Sequence, residues 1–196
     1  NVKIYDLNID LSKEIKKLKL TYGMGIRRQN ISSTANLSNN DSNWYNTTRY
    51  PNGGSTVEDF FTYSQINFPI NRKLDLLIGG RWNNGKLNAK FNNPTFNIEA
   101  IENNNISFVK SALMSFQPTR KTTINASYYD GFRNPNIDDI GKVFSKDDIN
   151  LVVPNSNLEP EYATNFELSI RCALKPIIIE LGLFNTKITN AIKREY

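Results

Sequence analysis

The sequence contains no histidine and only one cysteine, Cys172, among its 196 residues. Without histidine the chain cannot build a Ser-His-Asp triad, a Cys–His pair, or a His-ligated zinc or haem site from its own residues. A single cysteine forms no intrachain disulfide, and Cys172 falls on the apolar face of a predicted strand, where it acts as a small hydrophobic residue. Since no nucleophile–base pair is evident either, we predict no enzyme activity, no catalytic residues and no cofactor.

Long apolar runs are also missing from the chain. A membrane helix needs roughly 18 or more consecutive apolar residues, and the most apolar run, residues 177–179, is followed at once by Glu180. A helical membrane protein is therefore disfavoured. A search for apolar runs does not detect membrane strands, because their lipid-facing and lumen-facing residues alternate.

Charge of one sign does not dominate either. The net charge of +5 comes from 24 basic and 19 acidic residues, and the basic residues form no stripe along the sequence. Because clustered Lys and Arg are the usual mark of a nucleic-acid surface, we predict no nucleic-acid partner. The one basic run, residues 13–19, falls at a predicted turn, where a solvated face accounts for it.

What the chain does contain is a repeated alternation of polar and apolar side chains, the period of a strand with one apolar face. In the first such segment Tyr5, Leu7 and Ile9 share one face, opposite Asp6 and Asn8. The same pattern predicts eight strands, at residues 2–11, 18–26, 58–70, 74–82, 106–116, 122–132, 161–172 and 177–189.

The predicted connections alternate in length along the chain. Short turns are predicted at residues 12–16, 71–73, 118–121 and 173–176, and long links at 29–57, 83–105 and 133–160. Each long link lies between two short ones, so all the long loops project from one end. Strands of about 9–11 residues cross a bilayer at a tilt, and this loop asymmetry is typical of outer-membrane barrels. We therefore predict an all-β, antiparallel transmembrane barrel segment of about eight meander strands.

Aromatic residues on the apolar faces support a membrane sheet. Phe68 and Phe116 come just before short turns, while Phe60, Trp82 and Tyr128 lie near the long-loop end. These are suitable positions for two interfacial girdles, although aromatic residues are common in strands generally.

Charged residues in mid-strand favour a wet lumen over the dry core of a soluble sandwich. Asp75, Arg81, Glu167 and Glu180 all fall on predicted polar faces and are expected to face the lumen. Lys110 falls instead on an apolar face, where we expect it to lie near the interface and extend its charge to water. Eight strands also suffice for a small closed barrel, so a stand-alone barrel with a structural or adhesin role remains the alternative.

Two motifs stand at the ends of the third long link, residues 133–160. The segments GFRNPNIDDIGKVF (131–144) and VVPNSNLEPEYATNFEL (152–168) resemble the signature of TonB-dependent outer-membrane receptors, in which F-R-x-P leaves one barrel strand and N-x-x-L-x-P-E enters the next. The resemblance is greatest to receptors of Bacteroidetes-type bacteria, in which RYPNGGST (49–56) and a last strand ending near NAI (190–192) also recur.

The resemblance implies a 22-stranded barrel in the bacterial outer membrane, with its lumen filled by a plug domain. Such receptors import a scarce nutrient, such as a ferric chelate, haem, cobalamin or a glycan fragment. The expected partners are outer-membrane lipid, the plug domain of the same receptor, TonB acting through that plug, and the extracellular nutrient. Residues 1–196 are then expected to be a partial barrel domain, without the plug and the remaining strands, and Arg81 and Glu167 to contact the plug.

Several loop residues are candidates for particular roles. Arg133 and Glu161 stand at the two ends of the third long link, where an ion pair beside Pro135 would fix the loop base. Asp138 and Asp139, together with Asp147 and Asp148, suggest a cation site, but their spacing matches no calcium loop and solvated charges are the better interpretation.

Aromatic residues in the first long link are candidates for substrate binding. Trp44, Tyr45 and Tyr50 would stack on an organic ligand, or would pack the loop on itself. The sequence predicts no metal site and does not identify the nutrient.

Overall fold

The computed structural model describes residues 1–34, 51–92, 99–141, 144–145 and 151–193. The elements are β1 (Val2–Ile15), β2 (Leu18–Ile31), β3 (Ser55–Asn71), β4 (Leu74–Ala89), β5 (Ile101–Thr119), β6 (Thr122–Arg133), α1 (Ile137–Ile140), β7 (Phe144–Ser145), β8 (Leu151–Val152), β9 (Glu161–Leu174) and β10 (Ile177–Thr189). In these ranges α1 is the one helix, and no helix there has the length and hydropathy of a transmembrane span.

Eight of the strands form one antiparallel sheet in the order β1-β2-β3-β4-β5-β6-β9-β10, while β7 and β8 pair only with each other. The predicted meander is therefore confirmed. Within the described residues β1 pairs only with β2, and β10 only with β9. The sheet is thus open, with two free edges, and is not the self-closed eight-stranded barrel of the alternative.

The turns and loops segregate by end as the sequence predicts. Each short connection is a two-residue turn, at 16–17, 72–73, 120–121 and 175–176. The long connections span 32–54, 90–100 and 134–160, and all lie at the opposite end.

The predicted strands were too short, at the short-turn end for β1, β5 and β9 and at the loop end for β2 to β5. The region 83–105 was predicted to be irregular, yet β4 continues to Ala89 and β5 begins at Ile101. Gly85 pairs with Asn105 and Leu87 with Asn103, because a backbone ladder needs no alternation of apolar side chains. The strand extension suggested near residues 96–98 lies outside the described residues.

The register of the sheet shows that the strands tilt. One row of paired residues runs through Leu20, Ile66, Ile78, Ala112, Tyr128, Phe166 and Asn185. Leu20 lies two residues from Leu18, the start of β2, whereas Asn185 lies eight residues from Ile177, the start of β10. The row therefore climbs away from the short turns, as the stagger of a barrel wall requires.

One face of the sheet, here called the outward face, is apolar and exposed. Leu7, Ile78, Phe108 and Leu183 are 63%, 52%, 61% and 73% exposed. A continuous apolar surface of this extent is unusual for a soluble monomer and suits a lipid-facing band.

The opposite, inward face carries glycines beneath aromatic rings. Phe61 of β3 is paired with Gly25 of β2, and Tyr63 with Gly23. The Tyr63 hydroxyl reaches across Gly23 and donates a hydrogen bond to the Asp10 carboxylate. The absence of a Cβ at these glycines lets both rings lie flat across the neighbouring strand.

A small buried core lies at the loop end of the inward face. Ile137 and Ile140 of α1 pack against Leu87, Ala89 and Ile101 of β4 and β5. We call this group, with its half-buried neighbours Ile31, Val57, Phe91 and Leu158, the loop-base core. Its members flank all three long connections, so one cluster holds the bases of three loops together.

Replacing Gly25 by alanine should destabilise the sheet by about 1–3 kcal/mol, the usual cost of overpacking. A Cβ at this position would stand 2.5 Å from Cζ of Phe61. The urea midpoint of the purified protein in detergent measures the effect. Gly182→Ala is the matched control, since a Cβ there meets nothing within 4 Å; an equal loss in both variants would contradict the close ring contact.

Replacing Ile140 by alanine should loosen the loop base, at a cost of about 2–5 kcal/mol for a buried isoleucine. Ile140 is 0% exposed. Hydrogen–deuterium exchange should accelerate at residues 136–141 and 153–158 together. Val153→Ala, at an exposed position of the same loop, should leave exchange unchanged, and acceleration confined to residue 140 and its neighbours would refute a shared core.

Candidate functional site

Arg133 and Glu161 face each other in register at the ends of β6 and β9. Arg133 Nε lies 2.5 Å from Glu161 Oε2, and Arg133 Nη1 lies 2.6 Å from Asp139 Oδ2. The backbone N–H of Ile192 donates to Glu161 Oε1 at 2.6 Å. The structure thus brings together the two residues expected to fix the loop base and adds two partners that sequence reasoning missed.

These charges lie on the loop side of the apolar band, beyond Tyr128 and Phe166. The hydrogen bond to Glu161 raises the pKa of Arg133. The same bond, followed by that from the Ile192 N–H, lowers the pKa of Glu161. Each group favours the charged form of the other, so the loop base stays ionised at neutral pH.

A capping box starts the loop directly after buried Pro135. The Asn136 side chain accepts hydrogen bonds from the N–H groups of Asp138 and Asp139, at 2.8 and 3.0 Å. Asp139 Oδ2 accepts in return from the Asn136 N–H at 3.0 Å. The interpretation of Asp139 as a solvated charge was therefore wrong, because its carboxylate caps α1 and pairs with Arg133.

The grouping of four aspartates considered from the sequence falls only partly within the described residues. Asp147 and Asp148 lie outside the described residues. Among those described, no group of three or more His, Cys, Asp or Glu side chains could hold a metal ion.

Hydrogen bonds hold residues 155–158, in the second half of the third loop. The Asn155 N–H donates to the Ile140 carbonyl at 3.0 Å. Asn103 of β5 donates through Nδ2 to the carbonyls of Ser156 and Leu158, at 2.7 and 3.0 Å. The two Asn103 bonds join residues more than 50 positions apart, so no local pattern could have revealed them.

The first and second loops are tied to each other by backbone groups. The Gly53 N–H donates to the Lys90 carbonyl at 2.8 Å, and the Lys90 N–H to the Gly54 carbonyl at 3.0 Å. Asn52 bonds Asn92 in both directions, at 2.8 and 2.9 Å. The PNGGST motif therefore fastens the end of the first loop to the start of the second. Trp44, Tyr45 and Tyr50, which precede the motif, lie outside the described residues.

An open cavity of about 730 Å³ lies between α1 and the inward face. Amide side chains are the most numerous polar residues of its lining, among them Asn8, Gln29, Asn83, Asn103, Asn105 and Asn134. Amides both donate and accept hydrogen bonds, so this surface suits a polar molecule or a polar protein surface.

Arg81 is a charged residue of the cavity lining. Its guanidinium carbon lies 4.0 Å from the centre of the Phe61 ring. Its Nε is buried and has no hydrogen-bond partner among the described residues. Arg27, also at the cavity, is instead paired with Asp6 at 2.5 Å. Arg81 is therefore available to a group that faces the inward side.

The other three charges predicted to face a lumen share the inward face with Arg81. In the register Asp75 is opposite Ser115, and Glu167 is opposite Ser127. Glu180 pairs with Arg171 at 2.7 Å. Their contact with a plug domain stays a prediction.

Lys110 lies on the outward face, as predicted, opposite Gly80 in mid-strand, with exposed Ile106 and Phe108 between it and the loop end of β5. Its Nζ is 5.6 Å from the centre of the Tyr128 ring. The hydroxyls of Tyr128 and Thr164 both donate to Asp130 Oδ1, at 3.0 and 2.9 Å. The cluster depends on the β5-β6-β9 register, which the sequence pattern does not provide.

Solved structures share this fold at low sequence identity. The siderophore receptor PiuA from Acinetobacter baumannii is 18% identical, with a TM-score of 0.61 over 93% of this chain and 31% of that one. The FrpB iron transporter from Neisseria meningitidis is 16% identical, with a TM-score of 0.70 over 97% and 30%. The ferric citrate transporter FecA is 16% identical, with a TM-score of 0.63 over 98% and 28%. The chain thus spans about a third of these proteins.

No curated protein matches the sequence. A family model does match, described as TonB dependent receptor-like, beta-barrel, over residues 2–196. Members of this family are outer-membrane proteins that act in transport and are not enzymes, which confirms the predicted location and class. The chain belongs to the β-barrel family of TonB-dependent receptors.

Proposed function

We propose that this chain forms part of the wall of a receptor that imports a scarce nutrient, such as a ferric chelate, haem, cobalamin or a glycan fragment, across the outer membrane. The observation that carries the proposal is the difference between the two faces of one sheet. The outward face is apolar, while the inward face combines amides, Arg81 and a cavity beneath folded loop bases. A wall of this kind separates lipid from a polar passage.

The domain is, in this proposal, a portion of a larger barrel of 22 strands. Free edges at β1 and β10 support it, because unpaired backbone groups inside a bilayer cost several kcal/mol each. The length of the matched structures, about three times that of this chain, supports it too. Further strands would continue the ladder at both edges.

The inward face would meet the plug domain of the same receptor. Arg81, Asp75 and Glu167 supply charges of both signs on that face, and Arg81 Nε has no hydrogen-bond partner in the described part of the chain. A polar plug surface would satisfy them. TonB would act on the plug, and therefore only indirectly on this sheet.

Ligand would enter from the loop end. The first loop runs from Ile31, a member of the loop-base core, to buried Pro51, and it carries the candidate ligand contacts Trp44, Tyr45 and Tyr50. A shared base would position three loops relative to one another, so that side chains from separate loops could contact one ligand.

The test is nutrient uptake in a strain that lacks the receptor gene. Uptake of one nutrient class should be lost, restored by the intact receptor, and lost again in a strain without TonB. Receptor carrying Arg81→Glu should restore less, by about five-fold, since reversing one charge against a polar partner costs on the order of 1 kcal/mol.

Arg81→Lys is the matched control, because it keeps the charge and should retain most of the uptake. Membrane levels of each variant are measured in parallel. Normal uptake of every nutrient class in the deletion strain would contradict the proposed function.

A further inference from the structure

The four short turns carry basic residues almost exclusively. They are Lys16–Lys17, Arg72–Lys73, Arg120–Lys121 and Lys175–Pro176, so seven of the eight turn residues are cationic and none is acidic. The whole chain is nearly balanced, with 24 basic and 19 acidic residues. Overall composition therefore does not account for this single sign.

These turn cations are exposed and free of carboxylate partners in the described part of the chain. Within the described residues their side chains make one hydrogen bond, from Lys73 Nζ to the Pro118 carbonyl, at 3.1 Å. Other arginines of the sheet are neutralised instead, as in the pairs Arg27–Asp6 and Arg171–Glu180. The short-turn end thus keeps its positive charge.

The fold places these cations in one row. Neighbouring hairpins of a meander are two strands apart, which corresponds to about 10 Å between successive turns. The turns are far apart in sequence, so the basic residues form no stripe along the chain, yet they line the short-turn end of the sheet. We call this end of the sheet the cationic rim.

The cationic rim borders the apolar outward face directly. Ile70 and Leu74 flank one turn, and Leu174 and Ile177 flank another. Phe116 lies four residues before Arg120, which is about 13 Å along a strand. Side chains at this distance from the apolar band reach the depth of lipid phosphates.

The loop end of the outward face carries charges of both signs, unlike the cationic rim. Arg28 is paired there with Glu58 at 3.0 Å, and Asp130 accompanies Lys110. A mixed surface attracts anions weakly, so the attraction is confined to the short-turn end, which faces the periplasm in outer-membrane barrels.

We propose that the cationic rim binds the phosphate groups of anionic phospholipids in the periplasmic leaflet of the outer membrane. Arg and Lys are both suited to phosphate, Arg through paired hydrogen bonds and Lys as a point charge. A lipid partner fits better than a soluble acidic protein because the rim is continuous with the lipid-facing band. This inference depends on the membrane placement of the sheet and not on the nutrient imported.

The experiment places a fluorescent reporter beside one turn of the intact receptor. Phe116→Trp, on the outward face near Arg120 and Lys121, is compared with the unsubstituted receptor to isolate the local signal. Vesicles of phosphatidylcholine containing brominated phosphatidylglycerol or brominated phosphatidylcholine then report, through quenching, which lipid occupies that position. Each basic side chain near an anionic surface contributes roughly five-fold in binding, so we expect at least about three-fold preference for phosphatidylglycerol.

Removing the two charges with Arg120→Gln and Lys121→Gln should abolish the preference, and high salt should weaken it through screening. Lys3→Gln with Lys86→Gln removes the same amount of charge at the loop end and should leave the preference for phosphatidylglycerol unchanged. Arg120→Lys keeps the charge of the turn and should also leave the preference unchanged. A heat-dependent shift on gels verifies folding. If the Gln pair does not fold, Lys16→Gln with Lys17→Gln, read by Leu18→Trp, provides the same test.

No preference in the receptor with native turns would overturn the proposal. So would a preference that survives neutralisation of the turn, or one that the loop-end variant removes equally. The nutrient-uptake assay has its own outcome: a receptor that imports nothing but still prefers phosphatidylglycerol would refute the proposed function alone.

Discussion

A strand inside a hydrocarbon layer has no water to bond its backbone, so each peptide group must find a partner in a neighbouring strand. Most features of this sheet follow from that requirement. Two-residue turns place successive strands side by side, and the resulting register decides which side chains share a face. Apolar residues then face outward, and the polar residues between them, such as Asn83 and Ser107, face inward. The stagger of the register gives the wall its tilt.

The same ladder extends past the apolar band and there serves a second purpose. The ends of β4 and β5 carry Leu87, Ala89 and Ile101, which bury the two isoleucines of α1 on the inward face. The Arg133–Glu161–Asp139 network and the Asn136 cap hold the same helix from its polar side. Loops that would otherwise move independently are thereby joined at their bases, above an amide-lined cavity. A receptor that gathers a ligand from several loops needs such a common support.

Side-chain alternation was enough to predict the eight strands, their faces and the segregation of turns and loops, because one lipid-facing side imposes a period of two. Register was not predictable in this way, since it depends on the residues at which each turn begins and ends. The pair Arg171–Glu180, the Lys110–Tyr128–Asp130 cluster and the row of turn cations all depend on it. The extension of β4 to Ala89 was missed because its asparagines and glycine resemble a loop in composition. Asp139 was interpreted wrongly because its contacts with Arg133 and with the Asn136 N–H depend on the conformation of the loop. The buried isoleucines of α1 hold that conformation in place.

The central claim is that one face of this sheet meets lipid and the other a polar space, and oxygen accessibility along β4 tests it most directly. After Cys172→Ala, nitroxide labels are attached one at a time at residues 74–86 of the receptor in bilayers. Collision with oxygen, which concentrates in lipid, is compared with collision with a polar nickel reagent. Oxygen accessibility should peak at even positions such as Leu76, Ile78 and Trp82, and fall at odd positions such as Asp75 and Arg81. An absence of the two-residue period, or the opposite phase, would contradict the account.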